Sequence, residues 1–143
     1  MESVYLLDAN LLIALGDSNH VHHRRVQEWF HSRLGRGWAT CPLTENAFLR
    51  IVGGAGYPGG VGGPTVVRSV LSQMCTAPGH QFWEDEISLR QTETFPTLPT
   101  ATHLTDIYLL ALAVKRRGRL ATLDRRINPR MVPGGTPAYF SVP

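Results

Sequence analysis

The chain has 143 residues, 43% of them hydrophobic and 17% charged, with 14 Lys and Arg against 11 Asp and Glu for a formal net charge of +3. That length holds one hydrophobic core, and the low charged share beside a large apolar fraction excludes a solvated disordered chain. The longest apolar run, IYLLALAV at 107–114, is too short to cross a bilayer; Glu2 and Asp8 around the first apolar stretch argue against a signal peptide; and Cys41 and Cys75 supply neither a disulfide framework nor zinc-ligand spacing, so a reducing, cytoplasmic setting is expected.

Residues 3–7 (SVYLL) form an apolar run that stops abruptly at Asp8, the pattern of a buried parallel strand. Leu11, Leu12, Ile13 and Leu15 predict a short helix over 10–15, stopped by Gly16. Val26, Trp29, Phe30 and Leu34 fall at helical spacing and predict a helix over 21–34, capped by Ser18 or Asn19 and ended by Gly35 and Gly37. A second strand is expected over 38–41. The helix after it starts at Pro42 or Leu43 and reaches Val52, with Ala47, Phe48, Ile51 and Val52 on one face. Residues 53–64 (GGAGYPGGVGGP) hold seven of the 14 glycines and read as a mobile loop inside one domain. They lack the Gly-Lys-Ser/Thr ending of a phosphate-binding loop. A helix over 65–74, a strand over 81–83, a short helix over 86–92 and a loop over 94–101 follow. The strongest helix is expected over 104–117, stopped by Gly118. A strand over 119–123 then ends at Asp124, and 139–142 suits an edge strand. Strands alternate with helices and lack polar alternation, so the expected architecture is α/β, a parallel sheet covered by helices on both faces, in one domain over 1–143.

Four carboxylates stand out against this frame. Asp8 and Asp124 each lie just past the C-terminal end of a strand, the edge where open parallel sheets bind ligands. Glu45 and Asp106 lie in the first turns of helices, and helices that follow their strands directly start at the same edge; the helix of Asp106 follows a loop, so its place is less forced. Taken singly, each acid has a plainer role: Asp8 as an N-cap, Glu45 and Asp106 as first-turn acids favoured by the helix dipole, Asp124 as a turn residue. Gathered in one crevice, their charges repel by roughly 4 kcal/mol per close pair at an intermediate dielectric. Protonation relieves that repulsion, and a divalent cation relieves it better. Oxygen ligands select a hard ion, Mg²⁺ or Mn²⁺, which lowers the pKa of a coordinated water and stabilises charge on a phosphate undergoing substitution. This is the logic of a metal-dependent nuclease.

The segments LLDANLLIAL around Asp8, LTENAFLRI around Glu45, LTDIYLLALAV around Asp106 and LATLDRR around Asp124, with DSNHVHHRRVQEWF after the first helix, resemble the PIN-domain ribonucleases and, among them, the VapC toxins of bacterial toxin–antitoxin modules. The match spans nearly the whole chain in the family's order. The resemblance implies a three-layer α/β/α sandwich with a central parallel sheet (PIN-like) and Mg²⁺ or Mn²⁺ held by Asp8, Asp106, Glu45 and Asp124, the last through water. It also implies that Asn10 and Thr44 orient Asp8 and Glu45, with Thr122 in the same shell. The implied activity is that of an endoribonuclease toxin in which metal-activated water hydrolyses an RNA phosphodiester. The implied partners are an RNA substrate, a cognate VapB-type antitoxin and a second copy of the chain, with no membrane. The glycine-rich stretch 53–64 departs from this pattern, being longer and looser than the rest of the match.

Other residues carry weaker signals. Arg125, Arg126 and Arg130 follow Asp124 at the proposed mouth and suit contacts to flanking phosphates. All basic residues but Lys115 are Arg, which grips phosphate in two places, although codon bias in a GC-rich genome produces the same excess. His20, His22 and His23 suit either a metal site or an exposed helix start. His103 stands near Asp106 and suits either a plain structural role or a substrate contact. Lys115, Arg116 and Arg117 close the strongest helix where cations favour its dipole. Arg50 faces either the crevice or a partner, and Trp29, Trp38 and Trp83 read as core. Two other functions compete. A catalytically silent PIN-like RNA- or protein-binding module keeps the fold without the chemistry. A receiver-like signalling domain needs an adjacent acid pair early in the chain, where this one has Asp8-Ala9-Asn10.

Overall fold

The computed structural model describes residues 3–143. Its strands are β1 (Tyr5–Leu7), β2 (Trp38–Thr40), β3 (His80–Phe82), β4 (Arg119–Thr122) and β5 (Tyr139–Ser141), and they form one sheet in the order β3-β2-β1-β4-β5. Every neighbouring pair is parallel. The chain runs outward from β1 through β2 to β3 and then returns to place β4 on the other side of β1. The direction reverses between β1 and β4, and that switch point lies at the carboxyl ends carrying Asp8 and Asp124.

Side chains alternate across the sheet. Leu6, Ala39 and Leu120 face one core, which α5 (Leu104–Lys115) and α6 (Gly135–Ala138) cover. Tyr5, Leu7, Trp38 and Ala121 face the other, covered by α1 (Ala9–Gly16), α2 (His23–Ser32), α3 (Pro42–Val52) and α4 (Pro64–Met74). The result is the expected three-layer sandwich. Helix α5 is buried continuously from Ile107 through Ala113 because it is packed against the sheet on one side and against residues such as Phe95, Ile127 and Val132 on others. Gly118, at the entry to β4, has no room for a side chain: a Cβ there would lie 2.5 Å from the Val4 carbonyl oxygen and 2.7 Å from the Trp83 ring.

Two expectations are corrected. No helix forms over 86–92. Ser88 and Gln91 bond locally instead, Gln91 Oε1 accepting from the Ser88 amide at 3.1 Å and Ser88 Oγ from the Arg90 amide at 3.2 Å. Such side-chain bonds compete with helical ones, and the Glu86 carboxylate is drawn 2.8 Å from Arg116. The second helix starts at His23 and has no side-chain cap, since 18–22 are spent in turns, the Asp17 carboxylate accepting from the Asn19 amide and His20 Nδ1 from the His22 amide. The glycine-rich stretch is a series of turns leading into α4 at Pro64, and the Tyr57 hydroxyl near its middle donates to Asp17 at the end of α1. Trp38 and Trp83 are buried and Trp29 stacks on Phe140, so the tryptophans belong to the cores.

Candidate active site

The N-cap role of Asp8 is observed, and it leaves the carboxylate buried at the switch point. It is the N-cap of α1, its Oδ1 accepting from the Ala9 amide at 2.7 Å, and it is also a carboxylate only 5% exposed at the switch point. Thr122, the last residue of β4, donates its hydroxyl to Asp8 Oδ2 at 2.8 Å. That hydroxyl in turn accepts from Asn10 Nδ2 at 3.1 Å and from the Asp124 amide at 3.0 Å. Asn10 Oδ1 accepts from the Leu123 amide at 3.1 Å, and its Nδ2 stands 3.5 Å from Asp8 Oδ2. One network therefore ties the end of β1 to the end of β4 through the side chains of Asn10 and Thr122.

Electrostatics draws two further acids into this network. Burial pushes the Asp8 carboxyl up to about 6, and the charges of Asp106 and Asp124 push the same way against the Thr122 bond. Asp106, in the first turn of α5, is raised by burial and by Asp124, although the His103 ring, whose Nδ1 is 3.4 Å from Asp106 Oδ2, works against this. Asp124 is lowered instead. Arg126 grips it in two places, Nε to Oδ1 at 3.1 Å and a terminal nitrogen to Oδ2 at 3.2 Å, while the Arg126 amide donates to Oδ1. Donor atoms of His103, Asp106 and Asp124 lie within 4.8 Å of one another. His103 thus belongs to the cluster it was placed near.

Glu45 stands apart from that cluster. It lies in the first turn of α3 at the same sheet edge, but its Oε2 accepts from the Thr40 hydroxyl at 2.7 Å, and its donor atoms group with Cys75 and His80. Alternation across the sheet explains the split. Asp8 and Thr122 share the parity of Leu6 and Leu120, on the α5 side, whereas Thr40 shares the parity of Trp38, on the α3 and α4 side. Thr44 is corrected accordingly: it caps α3, its Oγ1 accepting from the Cys41 amide at 3.0 Å and donating to the Cys41 carbonyl at 3.1 Å, and it does not hold Glu45. Thr40 does. For Glu45 a signal was present in the sequence, since Thr40 closes its strand five residues before that acid; Thr122 stands two residues before Asp124 but meets Asp8, a pairing that only the sheet brings about.

Asn10, Leu123, Asp124, Arg125 and Arg126 line a shallow depression of about 460 Å³ beside the cluster. Arg125 is exposed there, and Arg130 is exposed in the 3₁₀ turn Pro129–Met131 without lining it. His20, His22 and His23 fall in neither group of three metal-capable residues found among the described residues; His23 Nδ1 lies 2.8 Å from the Ala14 carbonyl oxygen and His22 Nδ1 lies 3.1 Å from Arg25. Arg50 is exposed. Among the described residues, no helix is long and apolar enough to cross a membrane.

Comparison with known proteins places this arrangement. Ribonuclease VapC44 of Mycobacterium tuberculosis strain H37Rv is 35% identical over 138 residues, covering 95% of this chain and 96% of that protein. Ribonuclease VapC38 of the same strain is 40% identical over 119 residues, covering 83% and 84%, and ribonuclease VapC39 is 39% identical over 121 residues, covering 83% and 87%. No family model matches. Among solved structures, VapBC2 from Rickettsia felis bound to a DNA fragment from their promoter aligns with a TM-score of 0.55 over 86% of this chain and 89% of that one, at 12% identity, a likeness of fold. Shared sequence along nearly the whole length, on a sheet whose switch point carries Asp8 and Asp124, settles the family: the chain belongs to the VapC ribonucleases.

Proposed function

We propose that this chain is a metal-dependent endoribonuclease, the toxin of a toxin–antitoxin pair, that hydrolyses an RNA phosphodiester. The observation that carries the reading is the buried Asp8 carboxyl, pushed up to about 6 beside Asp106 and Asp124, in a member of the VapC family. A charge kept where burial and like charges oppose it needs a compensating cation. The donor set fits a hard divalent ion, because Asp8 and Asp106 offer carboxylate oxygens, with Asp124, whose oxygens Arg126 engages, acting through water. Mg²⁺ or Mn²⁺ is the proposed ion, held by those three acids. Glu45 completes the proposed set as the fourth acid, although its carboxylate is here engaged by Thr40. When bound, such an ion supplies positive charge for a phosphate and eases deprotonation of water.

The chain's own residues do the rest. Thr122 and the Ala9 amide each take one lone pair of Asp8, which fixes the carboxylate plane and leaves further lone pairs free. Asn10 locks the segment after β4 to the start of α1, so Asp8 and Asp124 keep their spacing. Arg126 keeps Asp124 ionised. Arg125 at the rim of the depression, with Arg126 and Arg130, is assigned to the RNA phosphates flanking the scissile bond. A VapB-type antitoxin, a second copy of the chain and a cytoplasmic site of action complete the proposal, all implied by membership of the family.

The test is cleavage mapping on total RNA with purified protein, with and without a chelator, beside Asp8→Asn and Asp106→Asn. Discrete cuts that disappear with chelation and in both variants are expected. Cleavage that survives chelation overturns the metal assignment, and RNA binding with no cleavage by the wild type favours a silent binding module.

A further inference from the structure

We propose that Glu45, Cys75 and His80 form a second metal site, which shares Glu45 with the proposed acid set and takes a thiophilic divalent ion of the zinc class. One donor atom from each residue lies within 4.8 Å of the others, and all three residues are half-buried. They arrive from separate parts of the chain: Glu45 from the first turn of α3, Cys75 from the C-cap of α4, His80 from the first position of β3. A thiolate, an imidazole and a carboxylate form a mixed soft set that favours zinc over magnesium, with the fourth tetrahedral position left to water as in open zinc sites. Bond lengths of about 2.0–2.3 Å separate tetrahedral donors by roughly 3.6 Å, so donors that lie within 4.8 Å of one another must draw together by about 1 Å at most to close on an ion.

The surroundings are those of a built site. The wholly buried Thr40 hydroxyl touches the group at several points, donating to Glu45 at 2.7 Å and lying 2.8 Å from His80 Nε2. The His80 ring packs against Trp38 with centroids 4.6 Å apart, which limits its rotation. An outer partner that orients a ligand in this way strengthens metal binding. On binding, the Cys75 thiol gives its proton to solvent and the sulfur lone pair forms the bond to the ion, so the site binds more tightly as pH rises. One regulatory consequence rests on the nuclease reading: an ion here holds Glu45 away from the acid cluster, so zinc slows cleavage.

Co²⁺ titration of the full chain in excess Mg²⁺ tests the site, since a thiolate ligand adds a charge-transfer band that oxygen ligands do not. One equivalent with that band is expected for wild type and for Asp106→Asn. Cys75→Ser should lose the band, and His80→Gln, which keeps a polar group beside Thr40, should bind at least about 100-fold more weakly. Zn²⁺ should also slow modification of Cys75 by a thiol reagent in the unmutated protein, a readout that does not depend on any variant folding. No band in wild type, or equal affinity in His80→Gln, overturns the proposal. RNA cleavage is read in parallel. A band without cleavage leaves the site standing and removes the nuclease reading; cleavage without a band does the reverse.

Discussion

Asp8→Asn separates the cost of the acid cluster from its use. The folded carboxyl titrates near about 6 against an ordinary 3.8. Between those values the folded state binds more protons than the unfolded one, so stability falls as pH rises. The contribution is fully present below the unfolded value and lost once pH passes the folded one. The displacement corresponds to about 3 kcal/mol in metal-free protein. Asparagine removes this penalty but fits the network poorly. The Thr122 hydroxyl already accepts from Asn10 and from the Asp124 amide, so an amide nitrogen turned toward it finds no lone pair, and turned the other way it meets the Ala9 N–H. That mismatch costs about 1–2 kcal/mol. Metal-free Asp8→Asn is therefore expected to be more stable than wild type by about 1–2 kcal/mol at pH 7.5, with the order reversing near pH 5. Urea denaturation at pH 4.5, 6 and 7.5 in chelator reads this directly. Mg²⁺ at roughly 100 times its dissociation constant then adds about 2.7 kcal/mol to wild type and far less to the variant. A stability difference that does not change with pH, or equal stabilisation of both proteins by Mg²⁺, would refute the reasoning.

Three further outcomes follow from the same geometry. Arg126→Ala should let the Asp124 carboxyl titrate higher, because the guanidinium that holds it low is gone; the side-chain carboxyl carbon followed by NMR across pH gives the answer. Asn10→Ala removes the links to Thr122 and to the Leu123 amide. It should cost about 1–3 kcal/mol in urea denaturation and lower cleavage at least tenfold, with a weaker Mg²⁺ midpoint. Gly118→Ala puts a methyl group against the Val4 carbonyl and the Trp83 ring, with an expected loss of about 1–3 kcal/mol and Mg²⁺ affinity unchanged, since the clash lies at the start of β4 and the acids follow its other end.

The sequence by itself determined the layered architecture and three of the acids in place. Runs such as LLDAN and LATLD put Asp8 and Asp124 immediately after buried strands, and in a parallel sheet all strand ends of one kind share an edge. Asp106 before IYLLALAV marked the first turn of a buried helix, although that helix follows a loop and not a strand, so its place at the edge was less forced. The N-cap reading of Asp8 is the observed one, one carboxylate oxygen capping α1 while the other meets Thr122. The tertiary structure decided what side-chain partners across the sheet decide. Thr40 rather than Thr44 holds Glu45, and Cys75 and His80 join it, residues up to 40 positions from Thr40 in sequence. It also decided that 86–92 forms turns and no helix, where Glu86 answers to Arg116 at the end of α5. Periodicity records which face of its own element a residue occupies; which residue it meets there depends on the packing of segments that have no sequence relation to one another.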